Sequence, residues 1–309
     1  AMGVLGLVMT FAPAIGPTLS GWIIEHYDWR YLFYMIIPIA VIVLLLSIFK
    51  LKDTKEKSNA SLDTLSVIFS SIGFGGLLYG FSSAGDKGWG DFEVYSTLSA
   101  GVIALVLLIV RQFKIEKPML DFRVYKYPMF SLSSAISIVV NMAMFSAMIL
   151  MPIYLQNIRG ISPLDSGLLM LPGAIIMGIM SPVTGTLFDK FGGRILAISG
   201  LTITVVTTYF FSQLTMDTTY TTLIVMYSIR MLGISMVMMP VMTNGMNSLP
   251  ARMNPHGTAI NNTLNQVSGA IGSALLVSVM TSRTKIHAEE MAEKAMSKLT
   301  GQPSPEELA

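Results

Sequence analysis

The sequence predicts an all-α polytopic membrane protein with about nine transmembrane helices. Of its 309 residues, 52% are hydrophobic and only 12% are charged, whereas a soluble domain carries about 25% charged residues. The mean hydropathy is +0.64. The charges are also segregated: several stretches of about 20 residues carry none, and a helix of that length crosses a hydrocarbon core about 30 Å thick.

Nine apolar runs have the length of membrane-spanning helices, and polar segments separate them. In chain order the predicted spans are residues 2–24, 31–49, 64–84, 92–110, 130–155, 166–188, 195–214, 219–244 and 258–280. The chain opens within the first of these runs, with no polar lead-in and no signal-peptide pattern. We therefore expect it to be an internal piece of a longer protein.

Lys and Arg predict the orientation of the spans, because cytoplasmic loops are enriched in these residues. The connections between spans form two alternating sets. One set carries twelve Lys and Arg residues, and the other carries three. The richer connections, which include residues 50–57 and 111–126, are expected in the cytoplasm. The first helix then runs outward in a multi-pass protein of the cell membrane, and the polar segment 282–309 lies outside.

Composition excludes several classes of function. With no cysteine, the chain has no disulfide, thiolate metal site or cysteine nucleophile. The three histidines (His26, His256 and His287) are far apart at predicted helix ends, so we expect no metal and no cofactor. A net charge of +2 gives no sign of a nucleic-acid partner. An integral membrane enzyme would need a buried cluster of His, Asp, Glu or Cys, and no predicted span contains one.

Small residues mark the first span. Gly16, Pro17, Ser20 and Gly21 lie inside an apolar run, where glycine and proline are unfavourable in a helix of a soluble protein. In lipid, a small, flat surface allows a second helix to approach closely, and Pro17 adds a bend beside it. On spacing alone, ordinary packing between membrane helices is the simpler interpretation.

The residues that follow favour a more specific interpretation. Residues 16–24, G-P-T-L-S-G-W-I-I, precede W-R-Y-L-F at residues 29–33 and then Pro38. This pattern resembles the antiporter motif of the fifth helix, and the start of the sixth, in the major facilitator superfamily. It is most similar to the fourteen-helix drug:proton antiporters of the EmrB/QacA type. Ser20 replaces the first glycine of the usual pair, and Ile36 stands where an asparagine is common.

The resemblance implies a partial major facilitator fold that lacks the first four helices and the last. Residues 1–49 would be the last two helices of the N-terminal half. Residues 50–126 would be an inserted central helix pair with basic cytoplasmic linkers, as the fourteen-helix branch has. Residues 127–281 would supply five helices of the C-terminal half, and residues 282–309 a polar extracytoplasmic tail.

A second motif joins the sixth and seventh spans. Residues 185–194, G-T-L-F-D-K-F-G-G-R, match the superfamily's cytoplasmic loop pattern G-x-L-x-D-[RK]-x-G-x-[RK]. Glycine permits a tight reversal between two helices, and an aspartate near a helix end can pair with a cation or a helix N-terminus. The simpler alternative is a tight turn with positively charged residues. The resemblance implies a gating role for Gly185, Asp189, Lys190, Gly192 and Arg194.

Arg230 is the one cation predicted deep in a span, at least about 16 Å from either end. A charge at that depth is costly, so it should face protein or water. It could contact substrate or tune a proton-carrying acid, or it could be structural, snorkelling or bonding to backbone carbonyls.

The ninth span is the most polar. Residues 258, 261, 262, 265, 269 and 272 repeat with helical period and form one stripe. Because amides facing lipid would lack partners, the stripe should face a cavity or another helix. Hydrogen bonding between helices is the simpler role for any one amide. The candidate residues for a substrate cavity are Asn141, Arg230, Asn261, Asn262, Asn265 and Gln266.

The resemblance implies a secondary active exporter of hydrophobic or cationic drug-like compounds, driven by protons. Its partners would be the lipid bilayer, the substrate, protons and, in a Gram-negative source, a periplasmic adaptor. No acid lies deep in any predicted span, and the resemblance places proton-coupling acids in the leading helices. The alternatives are an importer or facilitator of a small nutrient, and a fragment that is inactive alone.

Overall fold

A computed structural model of the chain describes residues 15–50, 63–115, 118 and 120–300. Within these ranges the chain is helical and contains no β-strand. The basic residues Lys52, Lys55, Lys57 and Lys117 lie outside the described residues, as does most of the first predicted span. The helices are α1 (residues 15–26), α2 (Arg30–Lys50), α3 (Thr64–Lys87), α4 (Phe92–Lys114), α5 (Pro128–Ile153), α6 (Pro163–Phe191), α7 (Gly193–Ser212), α8 (Tyr220–Asn247) and α9 (Asn254–Thr300).

Eight of the described helices are long and apolar enough to cross a membrane. They coincide with the second to ninth predicted spans, and the all-α fold class is confirmed. The largest difference lies at the end of α9, which continues to Thr300, whereas the apolar run ends at Met280. Residues beyond Met280 include Ala288, Glu289 and Glu290, and such residues favour a helix whether or not it is in lipid.

Local sequence explains where several helices begin. Asp91, Ser162 and Thr219 are the N-caps of α4, α6 and α8, and the side-chain oxygen of each accepts a backbone N–H at 2.8, 3.1 and 3.3 Å. Such caps satisfy donors that have no partner within the helix. Pro128 and Pro163 occupy the first turns of α5 and α6, where the missing N–H costs nothing.

The helices form two compact units. The first contains the described parts of Ala1–Leu62, Tyr127–Val140 and Met148–Pro250, and the second those of Asp63–Lys126, Asn141–Ala147 and Ala251–Ala309. The first unit therefore holds α1, α2, α6, α7 and α8. The second holds α3, α4 and α9, together with the middle of α5.

Glycine sets the packing of α3 on α4 in the second unit. A Cβ atom on Gly76 would lie 2.9 Å from the carbonyl oxygen of Thr97 and 3.1 Å from the Cα of Gly101. A Cβ atom on Gly73 would lie 2.5 Å from the side chain of Leu105. These distances leave no room for a side chain, so the two backbones are in direct contact.

This packing predicts a difference between two adjacent glycines. Gly76→Ala should lower the free energy of unfolding by about 1–3 kcal/mol, because the new methyl group overpacks a backbone contact. Gly75→Ala is the matched control: a Cβ atom there meets nothing within 4 Å, and alanine favours the helix. Thermal unfolding of both variants in detergent would test this, and equal melting temperatures would contradict the packing.

Candidate functional site

The helix with the predicted antiporter motif packs closely against the start of α6. A Cβ atom on Gly21 would lie 2.3 Å from the carbonyl oxygen of Pro163. One on Gly167 would lie 2.6 Å from both the carbonyl oxygen of Pro17 and the Cα of Thr18. We call this contact, between residues 17–25 and residues 163–167, the α1–α6 seam.

Two hydrogen bonds cross the α1–α6 seam. The hydroxyl of Thr18 donates to the carbonyl oxygen of Gly167 at 3.0 Å, and the backbone N–H of Leu164 donates to the Glu25 carboxylate at 3.2 Å. Thr18 and Glu25 are not among the site residues predicted from the sequence, although Thr18 lies inside the motif. The seam thus combines direct backbone contact with a small number of polar contacts.

The four motif residues are divided between two faces of α1. Pro17 and Gly21 lie in the seam, whereas Gly16 is exposed and a Cβ atom there would meet nothing within 4 Å. Ser20 donates to the carbonyl oxygens of Gly16 and Pro17 in its own helix, at 2.7 and 3.2 Å. The structure therefore brings together only half of the predicted small-residue surface.

Further along α6, glycine contacts α8 instead. A Cβ atom on Gly173 would lie 2.6 Å from the Tyr227 ring. Helix α8 in turn meets α7 where Gly200 and Gly233 face each other, with each Cβ position less than 3 Å from the opposite carbonyl oxygen. These contacts hold α8, which carries Arg230, between α6 and α7.

Arg230 is buried in the first unit, with 7% of its surface exposed. Its guanidinium carbon lies 5.7 Å from the centre of the Phe211 ring of α7, within the range of a cation–π interaction. Burial argues against the snorkelling alternative, which needs an exposed head group. A role in substrate binding stays a prediction.

The predicted cytoplasmic gating loop is mostly helical. Helix α6 continues through Gly185, Asp189 and Lys190 to Phe191, and α7 begins at Gly193. The reversal is made at Gly192, whose φ is +78°, a conformation that glycine adopts at little cost. Asp189, Lys190 and Arg194 are exposed. Within the described ranges, Asp189 has no cationic nitrogen within 4 Å, so the proposed latch stays a prediction.

The amide stripe of α9 contacts α5 in the second unit. The amide nitrogen of Asn141, which is 2% exposed, donates to the amide oxygen of Asn265 at 3.0 Å. Further along α9, a Cβ atom on Gly269 would lie 2.5 Å from Phe145 of α5, and one on Gly272 would lie 2.7 Å from Met142. This half of the stripe is an interhelical contact, which was the simpler of the two predicted roles.

The remaining amides differ in exposure. Asn262 and Gln266 are exposed. Asn261 is 5% exposed, and its amide nitrogen has no hydrogen-bond partner among the residues that the structure describes. Arg230 belongs to the other unit. Within the second unit a hydrogen bond joins Asn141 to Asn265, and Asn261, Asn262 and Gln266 lie on the same helix as Asn265. A shared cavity stays a prediction.

Comparison with known proteins places the chain in a family. The profile of the Major Facilitator Superfamily matches residues 1–273. The chain belongs to this superfamily. Membership agrees with the eight apolar helices described above, and together they make the chain a multi-pass membrane protein of a transporter family. This favours transport over catalysis.

Three relatives within the Major Facilitator Superfamily are informative. The chain is 56% identical to an uncharacterized MFS-type transporter of Bacillus subtilis, YhcA, over 95% of this chain and 55% of that protein. It is 45% identical to the lincomycin resistance protein LmrB of Listeria monocytogenes, over 94% and 61%. It is 26% identical to the multidrug transporter MdtP of Bacillus subtilis, over 91% and 52%. The chain thus spans about half to three-fifths of their length.

The Asn141–Asn265 contact predicts a measurable coupling in this superfamily member. In a double-mutant cycle with Asn141→Ala and Asn265→Ala, we expect a coupling energy of about 0.6 kcal/mol, and at most about 1.7 kcal/mol, as for other hydrogen bonds within membrane proteins. The exposed Asn262→Ala should show no coupling to Asn141→Ala. Unfolding in detergent measures both, and equal coupling in the two cycles would contradict the contact.

Proposed function

We propose that the chain is part of a proton-driven exporter of hydrophobic or cationic drug-like compounds, of the fourteen-helix antiporter type, that works by alternating access. The α1–α6 seam carries this proposal. It joins the helix with the antiporter motif to the helix that the resemblance places across from it in the other half of the protein. Relatives named for lincomycin resistance and multidrug transport support the substrate class.

The chemistry of the α1–α6 seam suits a contact that opens and closes. Gly21 and Gly167 make this contact through their backbones, so neither residue has a side chain that must move when the helices separate. Two hydrogen bonds hold it, at 3.0 and 3.2 Å, and each contributes about 1 kcal/mol. An interface of this kind has two discrete states, closed and open, between which the halves of a transporter rock.

The orientation follows from the basic connections. With Lys190 and Arg194 in the cytoplasm, the seam lies at the outer side of the membrane and the Gly192 turn at the inner side. In this arrangement the seam is the outer gate, and Asp189 and its basic neighbours contribute to the inner gate. A periplasmic adaptor would join the outer side only in a Gram-negative source.

Proton coupling requires an acid that titrates within the membrane. Asp165 and Asp217, like the other acids of the described residues, lie near helix ends, in connections or in the polar part of α9 beyond Met280. Because the chain spans 61% or less of the relatives reported above, we place the coupling acid in the part of the full-length transporter outside this chain. The isolated chain is then inactive.

Export predicts lower drug accumulation in cells. Cells that produce the protein from its native gene should accumulate less ethidium and less lincomycin than cells in which the gene is deleted. A protonophore should abolish the difference, because it removes the driving force. Higher accumulation in the producing cells would indicate import and would overturn the proposal. Insensitivity to the protonophore would overturn proton coupling alone.

The α1–α6 seam predicts that alanine substitution of two glycines in α1 will affect export differently. Gly21→Ala places a methyl group against the Pro163 carbonyl and should disfavour the closed seam by about 1–3 kcal/mol, which is a shift of about 5- to 150-fold in population. Ethidium export should fall at least about fivefold accordingly. Gly16→Ala, with nothing within 4 Å, should export normally. With equal amounts of protein in the membrane, equal export by both variants would contradict the gate.

A further inference from the structure

The central helix pair, α3 and α4, contacts α9 through a face that its own pairing does not use. Gly76 faces α4, and Gly85 lies about two and a half turns later, on the opposite face of α3. A Cβ atom on Gly85 would lie 2.9 Å from the Cα and 3.4 Å from the Cβ of Ser278 in α9. Ser278 is 1% exposed, and the adjacent Ala84 is 0% exposed. The two helices are therefore in direct, dry contact at this end.

A polar network joins the two helices of the pair at the opposite end of α3. Asp63, which precedes α3, accepts hydrogen bonds from Arg111 of α4 at 2.8 to 3.2 Å and from Ser66 at 2.5 Å. The bonds from Arg111 and Ser66 hold the pKa of the Asp63 carboxyl well below its usual range. The lowered pKa favours the ionised carboxylate, and these hydrogen bonds weaken as acid protonates it.

The same network reaches α9 through the connection to α5. Gln112 donates to Ser66 at 2.8 Å and accepts the backbone N–H of Leu120 at 3.2 Å. The next residue, Asp121, donates its backbone N–H to His256 Nδ1 near the start of α9, at 3.4 Å. The connection is thus fixed both to the central pair and to α9.

The contact at Gly85 and the network at Asp63 join α3 to α9 at matching positions along the two helices, which run parallel. The separation along the chain is the same from Asp63 to Gly85 as from His256 to Ser278, about 33 Å at 1.5 Å per residue. This length matches the hydrocarbon core of a bilayer. The central pair therefore supports α9 over the full thickness of the membrane.

The supported face of α9 is the one opposite its amide stripe. Ser278 lies about two and a half turns after Gly269, which contacts Phe145 of α5. One face of α9 thus carries Asn265 and the α5 contact, and the opposite face rests on α3. Because α3 packs against α9, a movement of α3 would displace α9 and the amides that it carries.

We propose that the central helix pair is a brace for α9: α3, α4 and α9 move as one body, and Gly85 and Ser278 are positioning residues for the amide stripe. The Asp63 network is the second attachment of this brace. The brace differs from the α1–α6 seam, which opens and closes. The structural part of the inference stands without the proposed function, whereas its effect on transport depends on it.

A disulfide tests the brace, because the chain has no cysteine of its own. In Gly85→Cys/Ser278→Cys, the 3.4 Å between the two Cβ positions is close to the range of about 3.5–4.5 Å in disulfides. The variant is made in the full-length transporter in membranes and oxidised with and without a proton gradient and ethidium. We expect the same extent of disulfide formation in all conditions, and export within about twofold of the reduced protein.

A cross-link across the α1–α6 seam is the matched contrast. Glu25→Cys/Leu164→Cys joined by a short bis-thiosulfonate reagent should lower ethidium export at least about tenfold, and reductant should restore it. If the disulfide between α3 and α9 blocks export and reductant restores it, the brace moves during transport and the proposal is overturned. The reduced Gly85→Cys single variant controls for the substitution itself.

A spectroscopic measurement keeps the test independent of transport and of that disulfide. Spin labels at the exposed positions Ser82 of α3 and Val279 of α9 report the separation of the two helices. We expect one distance distribution, unchanged by the gradient or by ethidium. A change would overturn the brace. If the unmodified transporter does not export, the proposed function fails, and the spin labels still decide whether α3 and α9 form one body.

Discussion

Direct contact between helix backbones at glycine is the constraint on which the rest of the structure depends. In lipid, apolar side chains gain little by leaving one apolar surface for another, so close packing has to supply the attraction between helices. In both units helix backbones come into contact where a Cβ atom is missing: at Gly21 and Gly167 in the first, and at Gly76 and Gly101 in the second. A methyl group at any of these positions would overlap a neighbouring backbone.

The same constraint produces two kinds of contact. The α1–α6 seam lies at the start of α6 and is held by two hydrogen bonds. The contact of α3 with α9 runs between attachments at both ends, a dry one at Gly85 and a polar network at Asp63. A contact held by two hydrogen bonds can separate at small cost, whereas a long one with two attachments resists movement.

Polar side chains inside the helices follow the rule that amides in lipid need partners. Asn141 and Asn265 satisfy each other across α5 and α9, and Arg230 is buried against Phe211. Asn262 is the exposed amide of the stripe, and Gln266, which lies beside the stripe, is exposed as well. Bonded and exposed amides therefore occur on the same helix.

The fold class, the positions of eight spans and the Gly192 turn could be predicted from the sequence, because apolar length and glycine chemistry are local properties. The sequence also predicted that small residues of the first span would meet another helix. The structure was needed to show that Gly21 contacts Pro163 while a Cβ atom on Gly16 would meet no described residue within 4 Å, that Asn141 bonds to Asn265, and that the central pair contacts α9. These outcomes depend on how helices rotate and pair, and many pairings bury similar apolar surface, so the pattern along one chain cannot distinguish them.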